Sequence, residues 1–268
     1  MRIFHVDAFA EAPFTGNPAG VCLLDSTQSE EWMQHIAAEM NLSETAFVDI
    51  QSGGSDSSLR WFTPTTEVSL CGHATLATAH ILWEHGIVES GQETHFHTKS
   101  GLLSAAKRKE QIELGFPWRQ VQLVDAPPRL EEALGVKEPK YIGKYGTDTG
   151  SLYLLELGSD QEVRELKPDF RGLRATDSRA TIVTALSSSS EFDFVSRFFA
   201  PAVGIDEDPV TGSAHCYLAP FWAERLGKTE LTGFQLSART GVVRCRLAEG
   251  QVMLCGKAVT VMQGEVLV

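Results

Sequence analysis

The chain is short of basic residues, has no closely spaced cysteine pair and contains no long apolar run, and each shortage removes a class of function. Its 23 lysines and arginines stand against 35 aspartates and glutamates, a formal net charge of -12 over 268 residues. Nucleic acids and anionic membrane surfaces select a basic footprint, so neither is expected as a partner, and any bound anion must be captured locally. Cys22, Cys71, Cys216, Cys245 and Cys255 lie far apart in apolar stretches without a CxxC, which reads as reduced, buried thiols rather than a disulfide framework. No apolar stretch approaches the roughly 18 residues that suggest a membrane span. The opening Met1-Arg2-Ile3-Phe4-His5-Val6-Asp7 alternates like a strand rather than a secretory signal. A cytoplasmic location is expected. Hydrophobic content of 43% and charged content of 22% are ordinary for a folded domain.

What is present is a duplication. Arg60-Trp61-Phe62-Thr63-Pro64, Glu67 and Cys71-Gly72-His73-Ala74 are echoed by Arg197-Phe198-Phe199-Ala200-Pro201, Asp206-Glu207-Asp208 and Thr211-Gly212-Ser213-Ala214. Each copy reads as a strand, a turn and the start of a helix. Helix starts carry free backbone N-H groups and a partial positive charge, so two of them make a design for holding an anion. The length is generous for one core and comfortable for two lobes.

Apolar spacing at Trp32, Met33, Ile36, Ala37 and Met40 predicts a helix from Ser29 to Asn41, after which Glu44 opens a strand. The helix from His73 to about His85 is apolar nearly all round, as is the one from Ser213 to about Leu226, so both are expected to be buried. Strands are predicted at Thr94 to Thr98, Leu102 to Lys107, Ile112 to Phe116, Ser151 to Leu157 and Ala180 to Ala185, with four more closing the chain. The proline-rich stretch Val121 to Arg129 gives the boundary, dividing residues 1-122 from 123-268.

Four segments resemble the PhzF-like phenazine-biosynthesis family, which shares the diaminopimelate epimerase fold. They are Asp7-Ala8-Phe9 with Phe14-Thr15-Gly16-Asn17-Pro18-Ala19, Asn41-Leu42-Ser43-Glu44-Thr45-Ala46-Phe47, Arg60 through Thr75, and Arg197 through His215. The resemblance implies an α+β protein of two similar lobes, each a curled, mainly antiparallel sheet around a central helix, with the active-site cleft between them, and a homodimer. It implies cofactor-free isomerisation of a small carboxylic acid in a biosynthetic process; the family's name-giving enzyme acts on trans-2,3-dihydro-3-hydroxyanthranilate. Carried over by position, Glu44 is the acid/base, His73 and Asp208 are its catalytic companions, and Asn17, Ser43, Gly72, Gly212 and Ser213 surround the substrate.

Moving a proton between carbons needs a base, an acid and a holder for the charge that builds up between. One carboxyl group can do both proton jobs if a dry cleft and a neighbouring carboxylate raise its pKa. His73, in the first turn of a helix, is expected to be neutral. Each residue has a plainer reading: Glu44 as a solvated strand start, His73 as a core histidine, Asp208 as a helix-end carboxylate, the glycines as packing devices. The pairs Cys71 with His73 and His215 with Cys216 have no partner at zinc-site spacing, so no metal is expected. Two other functions stay open. A one-thiol racemase would use Cys71, although the second helix start carries no cysteine to oppose it. A non-catalytic protein would keep the cleft to bind a metabolite or a protein partner.

Overall fold

The structure, a computed structural model, describes residues 1–51, 53–147 and 150–268. It divides into two compact units, Met1–Phe116 with Met253–Val268, and Pro117–Val252. The sequence reading placed one break at 122/123. The main difference is at the end of the chain: its final strand pairs with its first, and a long-range pairing of that kind leaves no local signal.

In the first half the elements are β1 (Arg2–Ala8), β2 (Asn17–Leu24), α1 (Glu30–Met40), β3 (Glu44–Asp49), β4 (Asp56–Phe62), β5 (Glu67–Val68), α2 (Gly72–Glu84), β6 (Thr94–Thr98), β7 (Gly101–Arg108) and β8 (Gln111–Pro117). The second runs β9 (Gln122–Leu123), α3 (Leu130–Leu134), β10 (Tyr141–Thr147), β11 (Gly150–Glu156), α4 (Asp160–Glu165), α5 (Phe170–Arg174), β12 (Ser178–Leu186), β13 (Phe194–Phe199), α6 (Gly212–Leu226), β14 (Glu230–Gln235) and β15 (Gly241–Ala248), and the division falls within β16 (Gln251–Gly256). The closing strand β17 (Ala258–Glu265) belongs to the first unit.

The pairing pattern repeats. In the first unit β1 is antiparallel to β2, β2 parallel to β3, β3 antiparallel to β4, β4 parallel to β6, and β6 antiparallel to β7. In the second, β10 to β15 repeat the same five relations in the same order. Parallel neighbours need a crossover, and helices supply it in matching places: α1 before β3 and α2 before β6, α4 with α5 before β12 and α6 before β14. Even the outer strands correspond, since β17 pairs antiparallel with β1 and β9 with β10. The sequence duplication is therefore a duplication of topology, in an α+β protein dominated by sheet.

Local signals explain the helices. Ser29 caps α1 by accepting from the Trp32 N-H, Glu30 and Glu31 suit its positive end, and Asn41 closes it in the left-handed region at φ 50°. Its buried Met33, Ile36 and Ala37 pack with Cys22, Phe47 and Phe62. The α2 helix packs against β1, β2, β3 and β17, with His73 through Ala79 and Ile81 through Trp83 all buried. In the second unit Leu130, Leu134, Val163 and Leu173 from α3, α4 and α5 close over Leu155, Val183, Val195 and Phe199. No two described cysteines form a disulfide; four are buried and Cys255 is half-buried. Among the described residues no helix is long and apolar enough to cross a membrane.

Candidate functional site

The repeated arginine motif turns out to be a clamp. Arg60 Nε and Nη2 donate to the two carboxylate oxygens of Glu67 at 2.8 and 2.7 Å, and Arg197 Nε and Nη2 donate to those of Glu207 at 2.7 and 2.8 Å. Each guanidinium also lies over the ring two residues on, Phe62 at 5.1 Å and Phe199 at 4.9 Å, because alternate strand residues share a face. The fork ties the end of each strand to the segment that leads into the following helix. Glu67 and Glu207 are thus equivalent, and Asp208 is the residue just beyond the second clamp.

In the first unit the helix start gathers several of the expected residues. Asp7, 1% exposed, accepts from the Phe14 N-H at 2.8 Å and so folds the loop between β1 and β2. Gly16 has φ 71°, and a Cβ there would meet the Ala8 carbonyl oxygen at 2.3 Å, so only glycine fits before Asn17. Asn17 is buried, with Nδ2 3.3 Å from His73 Nδ1, while its Oδ1 accepts from Ser43 Oγ at 3.4 Å. If Nδ1 accepts the Asn17 amide, the ring proton belongs on Nε2. That nitrogen lies 3.3 Å from Glu44 Oε2, yet no well-directed hydrogen bond joins them. Glu44 is half-buried at the first residue of β3. Cys71, the N-cap residue of α2, places Sγ 3.5 Å from His73 Nδ1.

Neither central helix has a side-chain cap: Cys71 and Thr211 make no capping hydrogen bond, so the first-turn N-H groups of α2 and α6 are not satisfied by the N-cap side chain. Matching residues in each helix turn back on the N-cap carbonyl, Thr75 Oγ1 on Cys71 O at 2.5 Å and His215 Nδ1 on Thr211 O at 2.8 Å.

In the second unit Asp208 is buried and its orientation is fixed from the sheet. Gln235, fully buried on β14, accepts from the Thr211 N-H at 2.8 Å and donates to Asp208 O at 2.8 Å and Thr211 Oγ1 at 3.2 Å. Having received that hydrogen, the Thr211 hydroxyl directs its own to Asp208 Oδ2. Gly212 is buried, and Ser213 is exposed in the first turn of α6. Gln235 carries no sequence signal, because its partners lie in another element, and residue spacing does not show that Cys71 faces the same histidine that Glu44 approaches.

Burial pushes the His73 imidazole down to about 3 from its ordinary 6.5, so the expected neutral state follows from desolvation. His215 is pushed to about 4, chiefly by burial, against a smaller opposing effect of the Thr211 carbonyl. A lowered histidine pKa means that the unfolded chain binds protons the folded one refuses. The associated stability is present above about 6.5 and is lost as pH falls towards about 4 and 3. In denaturant unfolding we expect His73 and His215 together to contribute a slope approaching two protons to the fall in stability between pH 6 and 4.5, about 1.4 kcal/mol per unit for each, with His80, also lowered by burial, adding in the same direction, and the slope to drop by about one proton in His215→Asn. A flat profile would contradict the assignment.

A family model described as phenazine biosynthesis-like protein (PhzC-PhzF) matches residues 6–264. An uncharacterized isomerase of Halalkalibacterium halodurans is 51% identical over 266 residues, covering 99% of this chain and 98% of that protein. Mouse phenazine biosynthesis-like domain-containing protein 1 is 40% identical, with 98% of each chain covered. The crystal structure of a PhzF-family protein from Enterococcus faecalis matches with a TM-score of 0.92 at 41% identity, over 100% of this chain and 99% of that one. With the duplicated topology and the helix-start residues in place, the chain belongs to the phenazine biosynthesis-like PhzC-PhzF family.

Proposed function

We propose that the protein is a cofactor-free isomerase that moves a proton between carbons of a small carboxylic acid, including cyclic amino acids of the dihydrohydroxyanthranilate type, with Glu44 as both base and acid. The observation that carries this reading is the half-buried Glu44 carboxylate set 3.3 Å from a histidine that burial keeps neutral, beside an uncapped helix start. Relatives named as isomerases support the reaction class.

In the proposed reaction the Glu44 carboxylate takes a proton from one carbon, and the electrons of the broken C-H bond spread into the substrate's conjugated system. The resulting carboxylic acid returns the proton to a second carbon, leaving Glu44 as it began. Neutral His73 accepts no charge of its own; it orients Glu44 and the reacting edge of the substrate. The N-H groups at Gly72 and the next residues hold the substrate carboxylate, with Asn17 and Ser43 fixing His73. The roles of Asp208 as a further catalytic group and of Gly212 and Ser213 as substrate contacts belong to the same proposal, as does assembly into a homodimer. The test is solvent deuterium incorporation into a panel of small cyclic and amino carboxylates, parent against Glu44→Gln.

One observation favours a second reading. Cys71 Sγ, 3.5 Å from His73 Nδ1, has a general base beside it, as a thiol-dependent racemase requires. Under the glutamate reading Cys71→Ala keeps exchange within a few-fold of the parent; under the racemase reading it removes exchange. Measuring that variant on the substrate that responds in the panel separates the two.

A further inference from the structure

We infer that Glu44, Cys71 and His73 form a binding site for one thiophilic divalent ion of the zinc class, which engages the carboxylate and so blocks its proton transfer. A carboxylate oxygen, a thiol sulfur and an imidazole nitrogen from these residues all lie within 4.8 Å of one another. Two separations, 3.3 Å from Glu44 Oε2 to His73 Nε2 and 3.5 Å from Cys71 Sγ to His73 Nδ1, resemble those between neighbouring ligands on a tetrahedral ion with bonds of about 2.0 to 2.3 Å. Because one ring nitrogen must serve, either the Cys71 thiol or the Glu44 carboxylate swings towards the other's nitrogen as the ion enters.

A second observation is independent of those distances. His73 is 5% exposed, and its buried Nε2 has no hydrogen-bond partner. A buried polar nitrogen left so is costly and calls for a partner that enters from outside. The donors also select the ion. Sulfur, nitrogen and carboxylate oxygen together favour zinc or cobalt over magnesium and calcium, which take oxygen ligands. On binding, the Cys71 S-H bond breaks, its sulfur pair bonds the metal and the proton passes to solvent; if Nδ1 is the ring ligand His73 keeps its Nε2 proton, and if Nε2 is the ligand that proton shifts to Nδ1, where the Asn17 amide turns its oxygen to accept it. With Glu44 as carboxylate, thiolate and carboxylate balance the dication, which suits a buried setting. Three protein ligands leave a fourth position for water. Sequence spacing offered only the Cys71 and His73 pair; the third donor comes from the start of β3.

The test is cobalt(II) titration of chelator-treated protein without substrate. The expected result is a one-to-one complex with thiolate-to-cobalt charge-transfer absorption in the near ultraviolet, one proton released per ion, and displacement by zinc. Cys71→Ala should lose that absorption and bind about tenfold or more weakly, by analogy with the loss of supporting residues around metal sites. Cys255→Ser, altering the half-buried cysteine outside the cluster, should keep both. X-ray absorption of the zinc-loaded parent, which needs no variant to fold, should show one sulfur scatterer. Absence of the band in the parent, its survival in Cys71→Ala, or a zinc shell of nitrogen and oxygen alone would each overturn the proposal. None of these readouts uses turnover, so failure here leaves the deuterium experiment intact; only the inhibitory consequence rests on the isomerase reading.

Discussion

Glu44→Gln is expected to lower deuterium incorporation into the responsive carboxylate by about 10² to 10⁴-fold, the contribution of a positioned acid/base group. The substitution keeps the side chain's length and shape, so the half-buried position at the head of β3 should tolerate it, and thermal unfolding should change little. In the proposed reaction the substitution removes the ability to carry a proton away from carbon and return it. Ligand binding should persist, because in that proposed reaction the helix-start N-H groups, which do not depend on Glu44, hold the carboxylate. The expected signature is therefore a collapse in exchange rate with a dissociation constant close to the parent's. Exchange within about tenfold of the parent would be too small a loss for the sole acid/base and would shift the chemistry to Cys71. No exchange in either protein, with a ligand still bound, would favour a metabolite-binding protein.

The parts of this molecule that were legible in the sequence are those written locally. Ser29 and Asn41 announce both ends of α1 by side-chain chemistry, and the apolar surfaces of α2 and α6 announce burial without any knowledge of what covers them. The duplicated arginine motif was visible because a guanidinium and the ring it covers sit two residues apart on one strand face. Its partner glutamates were in view, but their bidentate geometry was not. The closing strand β17 was recognisable as a strand, whereas its pairing with β1 depends on residues at opposite ends of the chain. The strand β10 and the short helices α4 and α5 carry no clear signal, since five to seven residues hold too little periodicity to stand out. In the site, the motif residues Asn17, Ser43 and His73 do converge with Glu44 in the first unit. Gln235 has no motif around it, and its importance follows only from total burial and three hydrogen bonds to the segment carrying Asp208 and Thr211.

Arg197→Met is expected to destabilise the protein by about 3 to 5 kcal/mol, the usual cost of breaking a buried charge pair from one side. Arg197 is 9% exposed, and besides Glu207 its Nη1 donates to the carbonyls of Leu166 at 2.8 Å and Val163 at 3.3 Å. Methionine fills much of the volume but leaves those carbonyls and the Glu207 carboxylate without their donor. The first clamp is built less tightly. The Arg60 side chain is 27% exposed against 11% for that of Arg197, and although Glu67 at 8% is more covered than Glu207 at 21%, Glu67 keeps an ion pair with Lys99 if the arginine is lost. Arg60→Met should therefore cost only about 1 to 2 kcal/mol. The duplication makes this a comparison of one fork and one aromatic platform in two settings: the second clamp adds the two carbonyl partners, the first adds the exposed Glu30 on Arg60 and Lys99 on Glu67. Denaturant unfolding of both variants checks it, and a double-mutant cycle with Glu207→Gln isolates the carboxylate's share. Equal losses in the two variants would mean that the fork alone sets the energy and that the carbonyl contacts add nothing. A large loss at Arg197 that persists when Glu207 is already glutamine would instead assign the energy to Val163 and Leu166, making the second clamp chiefly a fastener for the α4 segment.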